Sequence, residues 1–165
     1  SYSYPTEKSF SDHKIQMLYL GPAWPDWDMD ENALFSVLEG LTIRLNQEYY
    51  TGDPTNASML DEEFTNINMM IKYYKYGFGR ATDLCNELIR TKKISRKEAI
   101  ALIEKFDGIC SDKIIDRYCD WTKITVERFW EIVNKYANSA LFHIKNEGRP
   151  TRKFEIGFPI ANTNY

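Results

Sequence analysis

Residues whose types and spacing could do chemistry are densest in the run Lys75-Tyr76-Gly77-Phe78-Gly79-Arg80-Ala81-Thr82-Asp83. Two glycines loosen the backbone just ahead of a new helix. Arg80 falls at or near the start of that helix, and Thr82 and Asp83 are residue types that cap or charge a first turn. Backbone N–H groups, the positive end of a helix dipole and a guanidinium would converge on one place, and such a combination binds anions. The same residues allow a plainer reading, a helix–helix corner in which Gly77 and Gly79 turn the chain and Arg80 pairs with a carboxylate.

A second candidate lies upstream. Ile15–Leu20 is a short apolar run of strand length, bounded by Gly21-Pro22, and the turn-rich segment Gly21–Asp28 follows it. Loops at the carboxyl ends of strands are where open α/β sheets bind ligands. Trp24 and Trp27 could stack on a sugar or base, and Asp28 could accept hydroxyl hydrogen bonds. Equally, Asp28 could cap the next helix while the tryptophans cover a core. Other chemistry is missing. His13 and His143 stand alone, and Cys85, Cys110 and Cys119 are an odd count without paired spacing, which points to reduced cytosolic thiols rather than zinc or disulfides. There is no nucleophile elbow and no Walker-type phosphate loop. The acid pairs Asp26/Asp28 and Glu62/Glu63 are explained by capping or solvation.

The elements that must position these residues are mainly helical. At 165 residues the chain is one domain by length, and 43% hydrophobic content with 15% aromatics supports a packed core. Residues 1–63 carry three Lys/Arg against twelve Asp/Glu, whereas residues 64–165 carry eighteen against twelve. Such a split suggests halves that face different partners, or each other. The basic half holds too many acids to make a nucleic-acid stripe, so no nucleic-acid partner is expected. No apolar run reaches membrane-spanning length and no leader-like segment opens the chain, so a cytoplasmic protein is expected. Ser1 in place of Met points to a longer parent chain.

Residues 1–14 are polar and aperiodic, a loop or linker. Helices are predicted over roughly 31–39, 61–74, 82–92, 95–106, 111–121 and 125–136, with a short N-terminal β-strand segment over 15–20. The second opens on Asp61-Glu62-Glu63 and buries Phe64, Ile67, Met70, Ile71 and Tyr74. Ser95-Arg96-Lys97-Glu98 is a capping box; Ser111 and Thr125 cap the two helices after it. Leu41–Ser58 is irregular around Gly52-Asp53-Pro54. Short loops between the helices fold neighbours back into a compact array. Residues 146–165 form a tail: Phe142–Lys145 and Lys153–Ile156 flank Asn146–Pro150 as a small hairpin or a docked segment, and 161–165 fray.

Several of these stretches together resemble one family. They are Trp27-Asp28 after an apolar strand, the Lys75–Asp83 run, Ile89-Arg90, Ile94-Ser95-Arg96-Lys97-Glu98-Ala99, Lys105-Phe106-Asp107-Gly108 and Phe129-Trp130-Glu131-Ile132-Val133. Residues 15–145 resemble the C-terminal region of the N-acetyl sugar amidotransferases, which build acetamidino sugars for bacterial O-antigens and flagellin glycans. Where that family carries a glycine after Ile-Arg, this chain has Thr91-Lys92-Lys93. The family's cysteine-rich N-terminus and its Ser-Gly-Gly pyrophosphate loop are not in the chain.

The resemblance implies an α-rich C-terminal part of an α/β PP-loop ATP-pyrophosphatase, inactive alone. The upstream PP-loop domain would bind ATP with Mg2+, leaving no cofactor to this chain by itself. The acetamido oxygen of a nucleotide-linked N-acetyl sugar would be adenylated, and ammonia from a glutaminase partner would displace AMP. The resemblance implies that Arg80 and Lys75 are the catalytic cations, Arg80 on phosphate and Lys75 on the departing pyrophosphate. Gly77, Gly79, Thr82 and Asp83 would shape the substrate site, with Trp27 and Asp28 lining it from the sheet side. A homodimer would cover an exposed sheet edge. The contrasting reading is a non-catalytic helical interaction module.

Overall fold

Thr6 opens the first helix of the computed structural model, which describes residues 6–14, 16, 18, 29–44 and 51–159. The Thr6 hydroxyl accepts from the Ser9 amide at 3.2 Å, and α1 (Glu7–Asp12) follows. This corrects the expectation of a loop over 1–14. The helix buries no residue, so no apolar stripe marks it, and its Thr6 cap and the acid Glu7 support its first turn. α2 spans Met29–Leu38 and stops at Gly40, whose φ is 101°. Of the strand expected over 15–20, Gln16 and Leu18 are described and neither is in a strand; its other residues, with the loop of Trp24, Trp27 and Asp28, lie outside the described residues. The chain divides into two units, Ser1–Gly40 with α1 and α2, and Leu41–Tyr165 with everything below.

α3 (Thr65–Tyr76) begins later than expected. Glu62 stays outside the helix and caps it, its carboxylate accepting from the Phe64 amide at 2.8 Å and the Thr65 hydroxyl at 2.6 Å. The Thr65 hydroxyl and then the Phe64 amide hold the Glu62 carboxyl below the ordinary glutamate value. At its other end Gly77 takes φ 82°, and its amide donates to Tyr73 O at 2.7 Å. α4 (Arg80–Arg90), α5 (Arg96–Phe106), α6 (Asp112–Thr122) and α7 (Val126–Tyr136) follow, for seven helices among the described residues.

The predicted caps are in place. Ser95 and Glu98 form a reciprocal capping box, and the Ser111 and Thr125 hydroxyls accept from the Ile114 and Arg128 amides. α3 and α6 pack on α7, and α4 packs on α5. The core gathers Ile67, Met70, Tyr73 and Tyr74 of α3, Ile114, Ile115 and Cys119 of α6, Phe129, Trp130 and Val133 of α7, and Leu141 and Phe142 beyond. Burial pushes all three thiols above the ordinary cysteine value, Cys110 to about 12, so they are inert packing groups.

The hairpin is real but shorter and earlier than predicted. β1 (Phe142–His143) pairs antiparallel with β2 (Thr151–Arg152), in register Phe142↔Arg152 and His143↔Thr151. Beyond the hairpin Gly157 docks on α5, its O accepting from Arg96 Nη2 at 2.9 Å.

Within the Thr91-Lys92-Lys93 stretch that follows Ile89-Arg90, Lys92 sits at φ 61°. A left-handed conformation strains a side chain that glycine lacks. Lys92→Gly is therefore expected to raise stability by up to about 1 kcal/mol, read as a higher urea midpoint at unchanged slope.

Candidate functional site

The glycine–arginine corner is built around a carboxylate from another helix. Gly79 is the N-cap of α4 and has no side chain to satisfy the first-turn amides. Asp107, the C-cap of α5, supplies the missing acceptor. Its Oδ2 accepts from the Gly79 amide at 3.0 Å and its Oδ1 from the Ala81 and Thr82 amides at 2.9 and 3.3 Å. The Thr82 hydroxyl donates to Oδ2 as well. Asp107 is only 8% exposed, and a Cβ on Gly79 would lie 2.8 Å from its Oδ1. The anion that the helix start attracts is thus a residue of the chain itself, close to the plainer reading of this corner.

The other residues of the corner point apart. Arg80 is half-buried and donates from Nη2 to Ser58 Oγ at 3.1 Å. That serine ends a tightly built loop in which the buried Asp53 carboxylate accepts from the Thr55 amide and hydroxyl and the Ser58 amide. Arg44 ties the same loop by donating to Ser58 O and Met59 O. Asp83 pairs with Lys72 at 2.6 Å, and the Lys72 ammonium lies 4.6 Å from the Phe78 ring centroid. Lys75 is exposed, 5.8 Å from the Tyr76 ring. Gly77 and Thr82 border a groove of about 220 Å³ between α4, α5 and residues 154–158. Trp27 and Asp28 lie outside the described residues.

A larger cleft, of about 530 Å³, opens on the far side of Asp107. Its walls are the C-terminal half of α3, the α5–α6 link and the segment 149–152. Two consecutive tyrosines, Tyr73 and Tyr74, line the cleft together with two arginines, Arg149 and Arg152; the positive charge of Arg152 favours ionisation of the Tyr73 phenol and that of Arg149 the Tyr74 phenol. Burial is the main reason both phenols titrate above the ordinary tyrosine value, so both keep their proton at neutral pH. Arg149 lies over Trp130 with its Cζ 5.0 Å from the ring, and its Nη2 donates to Cys110 O and Asp112 Oδ1, each at 2.7 Å. Gly108, at φ 77°, lets Tyr73 approach so closely that a Cβ there would meet the ring at 2.4 Å.

A family model described as "LPS biosynthesis protein WbpG-like, C-terminal domain" matches residues 48–156. The chain belongs to this family. No curated protein and no solved structure gave a match. The WbpG-like span contains the whole corner and the whole cleft, and leaves Trp27 and Asp28 outside it. Membership sets the chain in lipopolysaccharide biosynthesis and agrees with its resemblance to the C-terminal region of a sugar-modifying family.

Sequence reasoning missed the cleft. Asp107 read as a helix stop and Arg149-Pro150 as part of a turn. The signal available was two adjacent tyrosines on the inward side of α3, since a buried phenol needs a polar partner.

Proposed function

We propose that the chain is the C-terminal, substrate-facing part of an ATP-dependent N-acetyl sugar amidotransferase of O-antigen or flagellin glycan biosynthesis. The substrate is a nucleotide-linked N-acetyl sugar whose acetamido group becomes acetamidino. In that conversion the acetamido oxygen departs on AMP, ammonia nitrogen takes its place on carbon, and ATP yields AMP and pyrophosphate. ATP with Mg2+ is held mainly by an upstream PP-loop domain, a glutaminase subunit supplies ammonia, and the reaction is cytoplasmic. Among the described residues no group of three His, Cys, Asp or Glu is arranged to hold a metal. The part this reading gives to the chain is binding and positioning of the substrate.

The observation that carries the reading is the WbpG-like match over residues 48–156. It covers the Lys75–Asp83 run on which the amidotransferase resemblance also rests. In this scheme Arg80, fixed on the Ser58 loop, and the exposed Lys75 meet negative charge on a face completed by the upstream part. Gly77, Gly79, Thr82 and Asp83 hold that face in shape. Trp27 and Asp28, which lie outside the described residues, are assigned to substrate binding as well.

The test is the full-length protein with nucleotide-linked N-acetyl sugars, ATP, Mg2+ and ammonium. AMP and pyrophosphate should form in step with a sugar in which NH has replaced oxygen, and a panel that yields neither overturns the reading. Arg80→Ala should cut turnover roughly 10²-fold if its guanidinium meets developing charge. A loss below about threefold, with the fold intact by circular dichroism, takes Arg80 out of the site.

A further inference from the structure

We infer that the cleft between α3, the α5–α6 link and residues 149–152 binds a diphosphate, with Arg149 and Arg152 as its cations and the Tyr73 and Tyr74 hydroxyls as neutral donors. This deepens the proposed function, resting on it for the source of the ligand and not for the site.

The donors have capacity to spare. Arg149 commits Nη2 to Cys110 O and Asp112 Oδ1, which fixes the guanidinium plane. Its Nη1 meets the Met70 thioether at 3.6 Å, a weak acceptor that a phosphate oxygen would replace with gain. Arg152 stands 4.0 Å from Glu104, with the two side chains 31% and 48% exposed. An exposed pair that loose is worth little and is readily exchanged for phosphate. Both tyrosines border the cleft beside the two arginines, and a protonated phenol can donate its O–H to an anion there.

Size and charge fit the same ligand. Small-molecule sites run from about 300 to 1,000 Å³, and about 530 Å³ suits a nucleotide rather than a lone phosphate. The Asp107 carboxylate at the cleft wall is already answered by the α4 amides, so it opposes an incoming anion less than a bare acid would. Asp112, 84% exposed at the rim, can accept from a ribose or sugar hydroxyl.

The probes are UDP, ADP, ATP and inorganic pyrophosphate, titrated calorimetrically into the whole chain at low salt. Arg152→Ala should weaken UDP and pyrophosphate roughly tenfold or more, and Tyr73→Phe several-fold, each with near-native unfolding behaviour. Arg128→Ala, which breaks an exposed pair with Glu131 on α7, should leave binding unchanged. UDP binding that ATP does not displace assigns the site to the sugar's carrier, whereas displacement at matching affinity assigns it to ATP. The inference is overturned if the folded chain takes up neither UDP nor pyrophosphate at millimolar concentration, or if Arg152→Ala and Tyr73→Phe bind both as tightly as the parent. A full-length protein that makes no AMP while the cleft still binds UDP through Arg152 overturns the reaction and leaves the site standing.

Discussion

Asp107→Ala is expected to remove roughly 3–5 kcal/mol of stability, among the largest effects of any single substitution in this chain. The carboxylate is buried and takes three backbone amides and a hydroxyl from the start of α4. Alanine leaves those donors without an acceptor, at about 1–3 kcal/mol for each one that water cannot reach. Gly79 offers no side chain to replace it. Asp107→Asn keeps one carbonyl oxygen but adds an NH2 group facing donors, so it should fall between. Thermal unfolding followed at 222 nm would show the alanine variant lower by roughly 10 °C. A loss under about 1 kcal/mol would mean that water satisfies the amides and that Asp107 does not hold the corner.

Phe142→Ala should cost about 3–5 kcal/mol. The ring is fully buried and meets Tyr73, Tyr74 and Phe154 edge-to-face, at centroid separations of 5.2, 5.4 and 5.8 Å. It backs both tyrosines of the cleft, so the cavity left behind also frees the phenols from their fixed positions. Urea unfolding should give a lower midpoint with an unchanged slope. Binding of UDP should weaken even under conditions where the variant is fully folded. Phe142→Leu, which keeps most of the volume, should recover more than half of the stability. Equal losses for both variants would show that edge-to-face geometry rather than volume decides the site.

Helices were readable wherever a local signal existed. Ser95 and Glu98 announce α5 because both halves of the capping box lie within four residues, and Gly77 ends α3 because only glycine takes that backbone without strain. α1 was missed because nothing in it is buried, and an apolar stripe is what periodicity detects. The start of α3 was placed too early because Glu62 acts on the helix from outside, through its side chain. The choice between an open anion site and a plain helix–helix corner could not be made from the sequence, because the acceptor comes from a distance. Asp107 lies 28 residues beyond Gly79, where local patterns show only the end of a helix. Tyr73 and Tyr74 meet Arg149 and Arg152 at one cleft across still more chain, and only tertiary folding brings them together. Family membership was legible because it depends on ordered short motifs, which need no knowledge of how distant side chains meet.

Asp107 borders the cleft with the same carboxylate that holds the first turn of α4. Occupancy of one side and integrity of the other are then coupled, and by thermodynamic reciprocity each changes the other by the same factor. The amide protons of Ala81 and Thr82 become the natural reporters, since their exchange with deuterated solvent requires this turn to open. A ligand that never touches Arg80 would thereby set how long the arginine's helix stays closed.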